Sequence, residues 1–192
     1  MAQKKDYRRP FPLRASHATV DFLFIVLMLI LLLIAIYMEL DINSVYEEAD
    51  PKQWVQYKPD FPEDIVSFEE LKEQNDDVIG WLTIYDTNID YPLLFPSEGD
   101  NNYYLSHDPL KGYTTSGSLY LDARNSRDFS DFNNIIHGHH MAEHKMFGDL
   151  DLFVDEDYFL EHEFGNLYIN GRDYGIQIIV TALTDGYDWS IY

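Results

Sequence analysis

Asn133-Asn134-Ile135-Ile136-His137-Gly138-His139-His140-Met141 is the run that decides how this chain is read. Its apolar part is too short for a helix, so Ile135 and Ile136 are assigned to a buried strand. Gly138 lets the backbone turn or another group approach closely. His139 then falls at the strand's end, where side chains face a cleft instead of a core. The imidazoles of His137, His139 and His140 point to proton transfer near neutral pH or to a metal. Surface loop histidines are the plain alternative.

Working outward, residues 78–85 change to a period of two and predict a strand, and Asp86-Thr87-Asn88 predicts a tight turn. Residues 89–94 predict a second strand in which Pro92 marks an edge or a bulge. The polar, aromatic stretch 100–108 reads as a helical turn and loop, 117–122 as a third strand, and the histidine run as a fourth. Beyond it, Met146, Phe147, Leu150 and Phe153 stand at helical spacing and predict a short helix over 145–153. A second short, acidic helix is expected over 155–163. Strands over 166–170 and 174–183 are joined by Asn170-Gly171, a strong hairpin signal. Before the first strand, Ser67-Phe68-Glu69-Glu70 matches a capping box. It predicts a helix from Ser67 to about Asn75, with Phe68, Leu71 and Val66 turned inward. Short strands with brief helical inserts imply a mainly β barrel or sandwich.

The charge is lopsided. A net charge of −21 excludes an ordinary nucleic-acid binder, which needs clustered Lys and Arg. Lys4, Lys5, Arg8, Arg9 and Arg14 nevertheless crowd the start of the chain. Between them and the acidic remainder lies the unbroken apolar run 22–38, close to the ~20 residues that cross a bilayer. A cleaved signal peptide would have a shorter apolar core and a small-residue site after it, and Tyr37-Met38-Glu39-Leu40 offers none. A buried core helix would need a polar face. The expected organisation is a cytoplasmic basic tail (1–21), a transmembrane signal anchor (22–38) and an extracellular, proline-punctuated spacer (39–64) with Trp54 and Tyr57 as docking aromatics. Aromatics at 16% support a well-packed β domain after it. There is no cysteine, hence no disulfide, thiolate metal site or cysteine nucleophile among these residues.

Taken in order, these pieces resemble a class B sortase, a membrane-anchored cysteine transpeptidase of Gram-positive bacteria. The resemblance is carried by Asp77-Val78-Ile79-Gly80-Trp81-Leu82, by Thr87-Asn88-Ile89-Asp90-Tyr91-Pro92-Leu93, and by Asp100-Asn101 with Tyr104-Leu105 and Asp108. It continues through Gly117-Ser118-Leu119-Tyr120-Leu121-Asp122, the histidine run, and Met146-Phe147 with Leu150, covering roughly residues 65–184. It implies a sortase-type, mainly β barrel with N-terminal helices and one transmembrane helix, the domain occupying 65–192. It implies His139 as the catalytic histidine, and Asn101, Leu105 and, less directly, His137 as residues lining the substrate groove. The implied partners are a sorting-signal peptide of a surface protein, an amine of peptidoglycan or pilin, and the membrane. No nucleic acid, metal or cofactor is implied. In the family's scheme a cysteine thiolate attacks the sorting-signal carbonyl, the histidine moves the proton, and an arginine steadies the oxyanion.

The departure lies at the end of the chain. The family's cysteine sits in a Thr-Leu-x-Thr-Cys strand and its arginine on the next strand; the sequence stops at Tyr192, and Arg124, Arg127 and Arg172 do not occupy that place. The barrel is therefore expected to be incomplete, missing its last two strands, and the polypeptide alone to be inactive and marginally folded. A premature end, a frameshift or a gene fragment explains this more simply than a selected pseudoenzyme. Two other readings stand beside it. One is a metal site of His137, His139 and His140 with His144, for which no HExxH-like spacing exists. The other is a membrane-tethered, non-catalytic binding ectodomain. A serine hydrolase is a poorer match, because Gly117-Ser118 lacks the nucleophile elbow.

Overall fold

The computed structural model describes residues 11–59 and 65–184. Two compact units divide between Ser44 and Val45. The basic residues Lys4, Lys5, Arg8 and Arg9, the capping region 60–64, and the side chains of Arg14 and Val66 lie outside the described residues.

The first unit is helical. Helix α1 (Phe11–Glu48) extends past both ends of the apolar run, because it contains no glycine and its one proline, Pro12, falls in the first turn. Phe22, Leu27 and Leu33 are exposed around its girth, so no apolar stripe is buried against a protein core. Among the described residues it is the one helix long and apolar enough to cross a membrane.

The second unit begins with the helix end. Asp50 Oδ1 accepts from Lys52 N at 2.9 Å and caps a 3-10 turn, Pro51–Gln53, with proline at its first position. A second such turn, Val55–Tyr57, follows. Trp54 is buried in the domain core and Tyr57 packs against that core, so both act as docking aromatics. Helix α2 (Ile65–Gln74) starts before Ser67, which places Ser67 inside the helix; the expected N-cap is corrected accordingly. Phe68 and Leu71 do face inward, and Phe68 meets Tyr168 edge-on at 5.2 Å.

Among the described residues six strands form one sheet in the order β4-β3-β2-β1-β5-β6. They are β1 (Val78–Ile84), β2 (Asp90–Leu94), β3 (Leu119–Leu121), β4 (Ile136–His137), β5 (Phe164–Ile169) and β6 (Arg172–Gln177). Strand β1 lies near the middle and is buried on both faces apart from Thr83, so its residues read as a continuous core run. Asp90 ties its far end together: Oδ1 accepts from Trp81 Nε1 at 2.7 Å and Thr83 Oγ1 at 2.8 Å, and Oδ2 from Lys58 Nζ at 2.8 Å. Pro92 is not the bulge but stands at a local edge, paired with Trp81 of β1 on one side and outside the ladder to β3 on the other. The bulge falls at Ile79, between Val78↔Leu94 and Gly80↔Leu93, and the parallel ladder to β3 begins at Leu93, just past the proline.

The hairpin of β5 and β6 turns at Asn170 and Gly171, with φ of 53° and 74°, as its dipeptide demands. Strand β6 stops at Gln177, short of the expected 183; beyond it Ile179, Val180 and Leu183 are exposed. The predicted helix over 145–153 is a 3-10 stretch starting later, Gly148–Val154. Leu150 is exposed there while Phe153 stays buried. Helix α3 (Glu156–His162) follows, capped by Asp155, whose carboxylate accepts from Tyr158 N at 3.0 Å.

Candidate active site

Strand β4 is only two residues long, yet it is registered firmly. Tyr120 pairs with His137 and Leu121 with Ile136, and Asp122 N–H donates to Ile135 O at 2.8 Å. The register brings the end of β3 beside the histidines. Asp122 is 1% exposed, and a buried carboxylate must be paired. Its Oδ1 accepts from Arg124 Nε at 2.9 Å and Arg124 N at 2.8 Å; its Oδ2 accepts from Arg124 Nη2 and His137 Nε2, both at 2.8 Å. The Arg124 guanidinium, followed by the His137 bond, holds the Asp122 carboxyl far below the usual carboxylate range, against the opposing effect of burial. The Asn101 side chain joins the same carboxylate, and its Oδ1 accepts from Ala123 N at 2.7 Å. An ionised carboxylate only accepts, so His137 carries its proton on Nε2. Asn101 and His137 therefore meet at Asp122.

Leu105 and His139 form the second pair. His139 Nε2 donates to Leu105 O at 2.7 Å, which leaves Nδ1 as the ring nitrogen able to exchange a proton. The carbonyl is presented by a 3-10 turn, Tyr103–Leu105. Gly117, at φ 60°, lets that turn lie against β3; a Cβ there would stand 2.8 Å from Leu105 O. Ser118 N then donates to Tyr104 O at 2.9 Å and Ser118 Oγ to His107 O at 2.8 Å, fixing the turn. Gly138, between the two pairs, is needed for close approach: a Cβ there would overlap the tip of Leu119 and stand 2.8 Å from Phe147 Cδ2. The His139 ring is half-buried and the Leu105 side chain is 36% exposed, so this pair faces outward.

The remaining histidines turn elsewhere. His140 Nε2 lies 2.9 Å from Asp151 Oδ2, both exposed, and His144 Nδ1 lies 2.8 Å from the buried Asp149. The four histidines thus take four separate partners, and among the described residues no three His, Asp or Glu gather to hold a metal. Arg127 reaches Asp76 O and Ser97 Oγ, while Arg172 opens the edge strand β6. A cleft of about 570 Å³, lined by Asp77, Asp100, Tyr103, Lys111 and Arg127 among others, contains none of the four expected site residues. Asp122 is the residue that sequence reasoning left without a role. Its signal was available: one acidic residue closing an apolar strand that had to pair with the histidine strand.

A half-barrel sheet that ends in a glycine-histidine corner, with a polar turn bound to that corner, is the architecture of a sortase-type protein. The chain is similar to sortase B: it is 38% identical to the Listeria monocytogenes protein over 120 residues, covering 62% of this chain and 48% of that one. It is 32% identical to sortase B of Staphylococcus aureus over 105 residues, covering 53% and 42%. A solved class B sortase of Streptococcus pyogenes, described as involved in pilus biogenesis, matches with a TM-score of 0.55 at 34% identity, covering 58% of this chain and 61% of that one. No family model matches. The chain spans about half the length of the curated relatives it matches.

Proposed function

We propose that residues 65–184 supply the histidine side of a sortase-type transpeptidase, with His139 as the proton-transfer residue. The observation that carries this reading is the His139–Leu105 bond. It ties one ring nitrogen to a backbone carbonyl and leaves the other on an outward-facing corner. In the reaction a cysteine thiolate attacks the carbonyl of a sorting-signal peptide. The C–N bond breaks, His139 gives its proton to the departing amine, and a thioester remains. An amine of peptidoglycan or pilin then loses a proton to His139 and displaces the thiolate, forming the new amide. The thiol comes from polypeptide outside these 192 residues, since none of them is cysteine.

Asn101, Leu105 and His137 line the peptide groove, with Asp122 fixing two of them. The scheme calls for no metal or cofactor. The apolar helix spans the cell membrane once, and the basic tail of residues 1–21 places the N-terminus in the cytoplasm with residues 39–192 outside.

The test joins this chain to the remaining C-terminal half of the Listeria monocytogenes sortase B and assays cleavage of sorting peptides. Turnover lost on both His139→Ala and substitution of the grafted cysteine is the expected result. A folded chimera that turns over equally well with His139→Ala would refute the assignment. A folded chimera inert toward every peptide would favour a non-catalytic binding ectodomain.

A further inference from the structure

The loop that follows His140 is strained. Glu143, His144 and Met146 have φ of 55°, 58° and 53°, a region that residues with a Cβ rarely occupy. Of the three, Met146 is buried, and its N–H donates to the hydroxyl of Tyr91 at 3.0 Å. Tyr91 lies on β2, buried, and the same hydroxyl donates to Ala49 O at 2.9 Å. A phenol can donate once and accept as well, so both bonds hold together. Alongside, Lys145 Nζ pairs with Asp50 Oδ2 at 2.6 Å. The next residue closes the loop onto the site: Phe147 N–H donates to His139 O at 2.9 Å. Ala49 and Asp50, immediately after the apolar helix, are thus three and two non-covalent links, respectively, from the His139 backbone. Apolar packing does not explain this arrangement, because phenylalanine would fill nearly the same space as Tyr91 without joining Met146 to Ala49.

We propose that Tyr91 is a positioning residue for His139, and that the Ala49–Asp50 junction is a working part of the site instead of a passive spacer. The functional meaning rests on His139 being the proton-transfer residue, while the hydrogen-bonded relay does not. The test uses the full chain in lipid nanodiscs, comparing Tyr91→Phe and Asp50→Asn with Tyr85→Phe, a change at an exposed ring. Amide exchange at Met146 and Phe147 and the ¹⁵N resonances of the His139 ring are read by NMR at fixed pH, with His162 on α3 as internal reference.

Tyr91→Phe should speed exchange at both amides about tenfold or more and shift the His139 ring while leaving His162 in place. Asp50→Asn should act in the same direction by less, and Tyr85→Phe should change nothing. A folded Tyr91→Phe protein with exchange within about twofold of wild type and an unmoved His139 ring overturns the proposal. Where Tyr91→Phe does not fold, Asp50→Asn decides by the same criterion, since it removes a partly exposed ion pair while the amide oxygen can still accept from Lys52 N and keep the cap of the 3-10 turn. Failure of the catalytic reading would show instead as turnover by the chimera that survives His139→Ala, with these NMR changes in the full chain intact.

Discussion

Replacing Asp122 by asparagine keeps the volume, removes one charge and puts a donor where an acceptor stood. The amide oxygen can keep the bonds from Arg124 Nε and Arg124 N. The new NH₂ group then faces Arg124 Nη2 and His137 Nε2, two donors that it cannot satisfy. Each hydrogen bond to a charged group is worth about 1.5–3 kcal/mol. The Arg124 side chain is 61% exposed, so water replaces most of its loss and its share falls to about 0–1 kcal/mol. The His137 bond, on a ring only 24% exposed, carries most of the rest, giving about 2–3 kcal/mol in all. At about 3–4 °C per kcal/mol for a domain of this size, the unfolding midpoint should fall by ~6–12 °C at pH 7. Because the Asp122 carboxyl is held below its unfolded value, the folded state binds fewer protons. Its stabilisation is therefore full above the unfolded value near ~3.9 and fades as pH falls below it. The gap between wild type and Asp122→Asn must shrink on acidification. Near-UV circular dichroism of the buried Trp81 and Trp54, with the chain in micelles, follows the transition. A gap under about 2 °C at neutral pH, or one that widens toward pH 4, would refute the argument.

Two further predictions follow from the same residues. Gly138→Ala drives a methyl into Leu119 and Phe147 and should cost about 1–3 kcal/mol, read as a lower unfolding midpoint with a shifted His139 ring; an unchanged midpoint would mean that the close approach at Gly138 is illusory. Leu29→Arg with Leu32→Arg places two charges mid-run at about 2.5–3.5 kcal/mol each, so the protein should become extractable from membranes by alkali; undiminished resistance would end the spanning assignment of α1.

The sequence by itself determined whatever depends on residues a few positions apart. The apolar run announced α1, the Asn170-Gly171 dipeptide announced the last hairpin, and the short apolar runs announced β1 and β2, though both are buried without the expected alternation. The histidine strand was legible only in part: it holds Ile136 and His137, both half-buried, leaves Ile135 outside, and ends two residues before His139. The misjudged pieces depended on distant partners. Ser67 looked like a cap, but the helix begins at Ile65; the 145–153 periodicity looked helical, but Tyr91 and Asp50 hold Met146 and Lys145 in a loop. Pro92 could be read as a bulge, yet the bulge falls at Ile79 and Pro92 stands just before the parallel ladder to β3. Only the tertiary structure could join Asn101 and His137 through Asp122, or tie His139 to Leu105, since those contacts link segments from 15 to 34 residues apart. Side-chain chemistry is written in the chain, but which donor meets which buried acceptor is settled by strand register, which the whole sheet fixes at once.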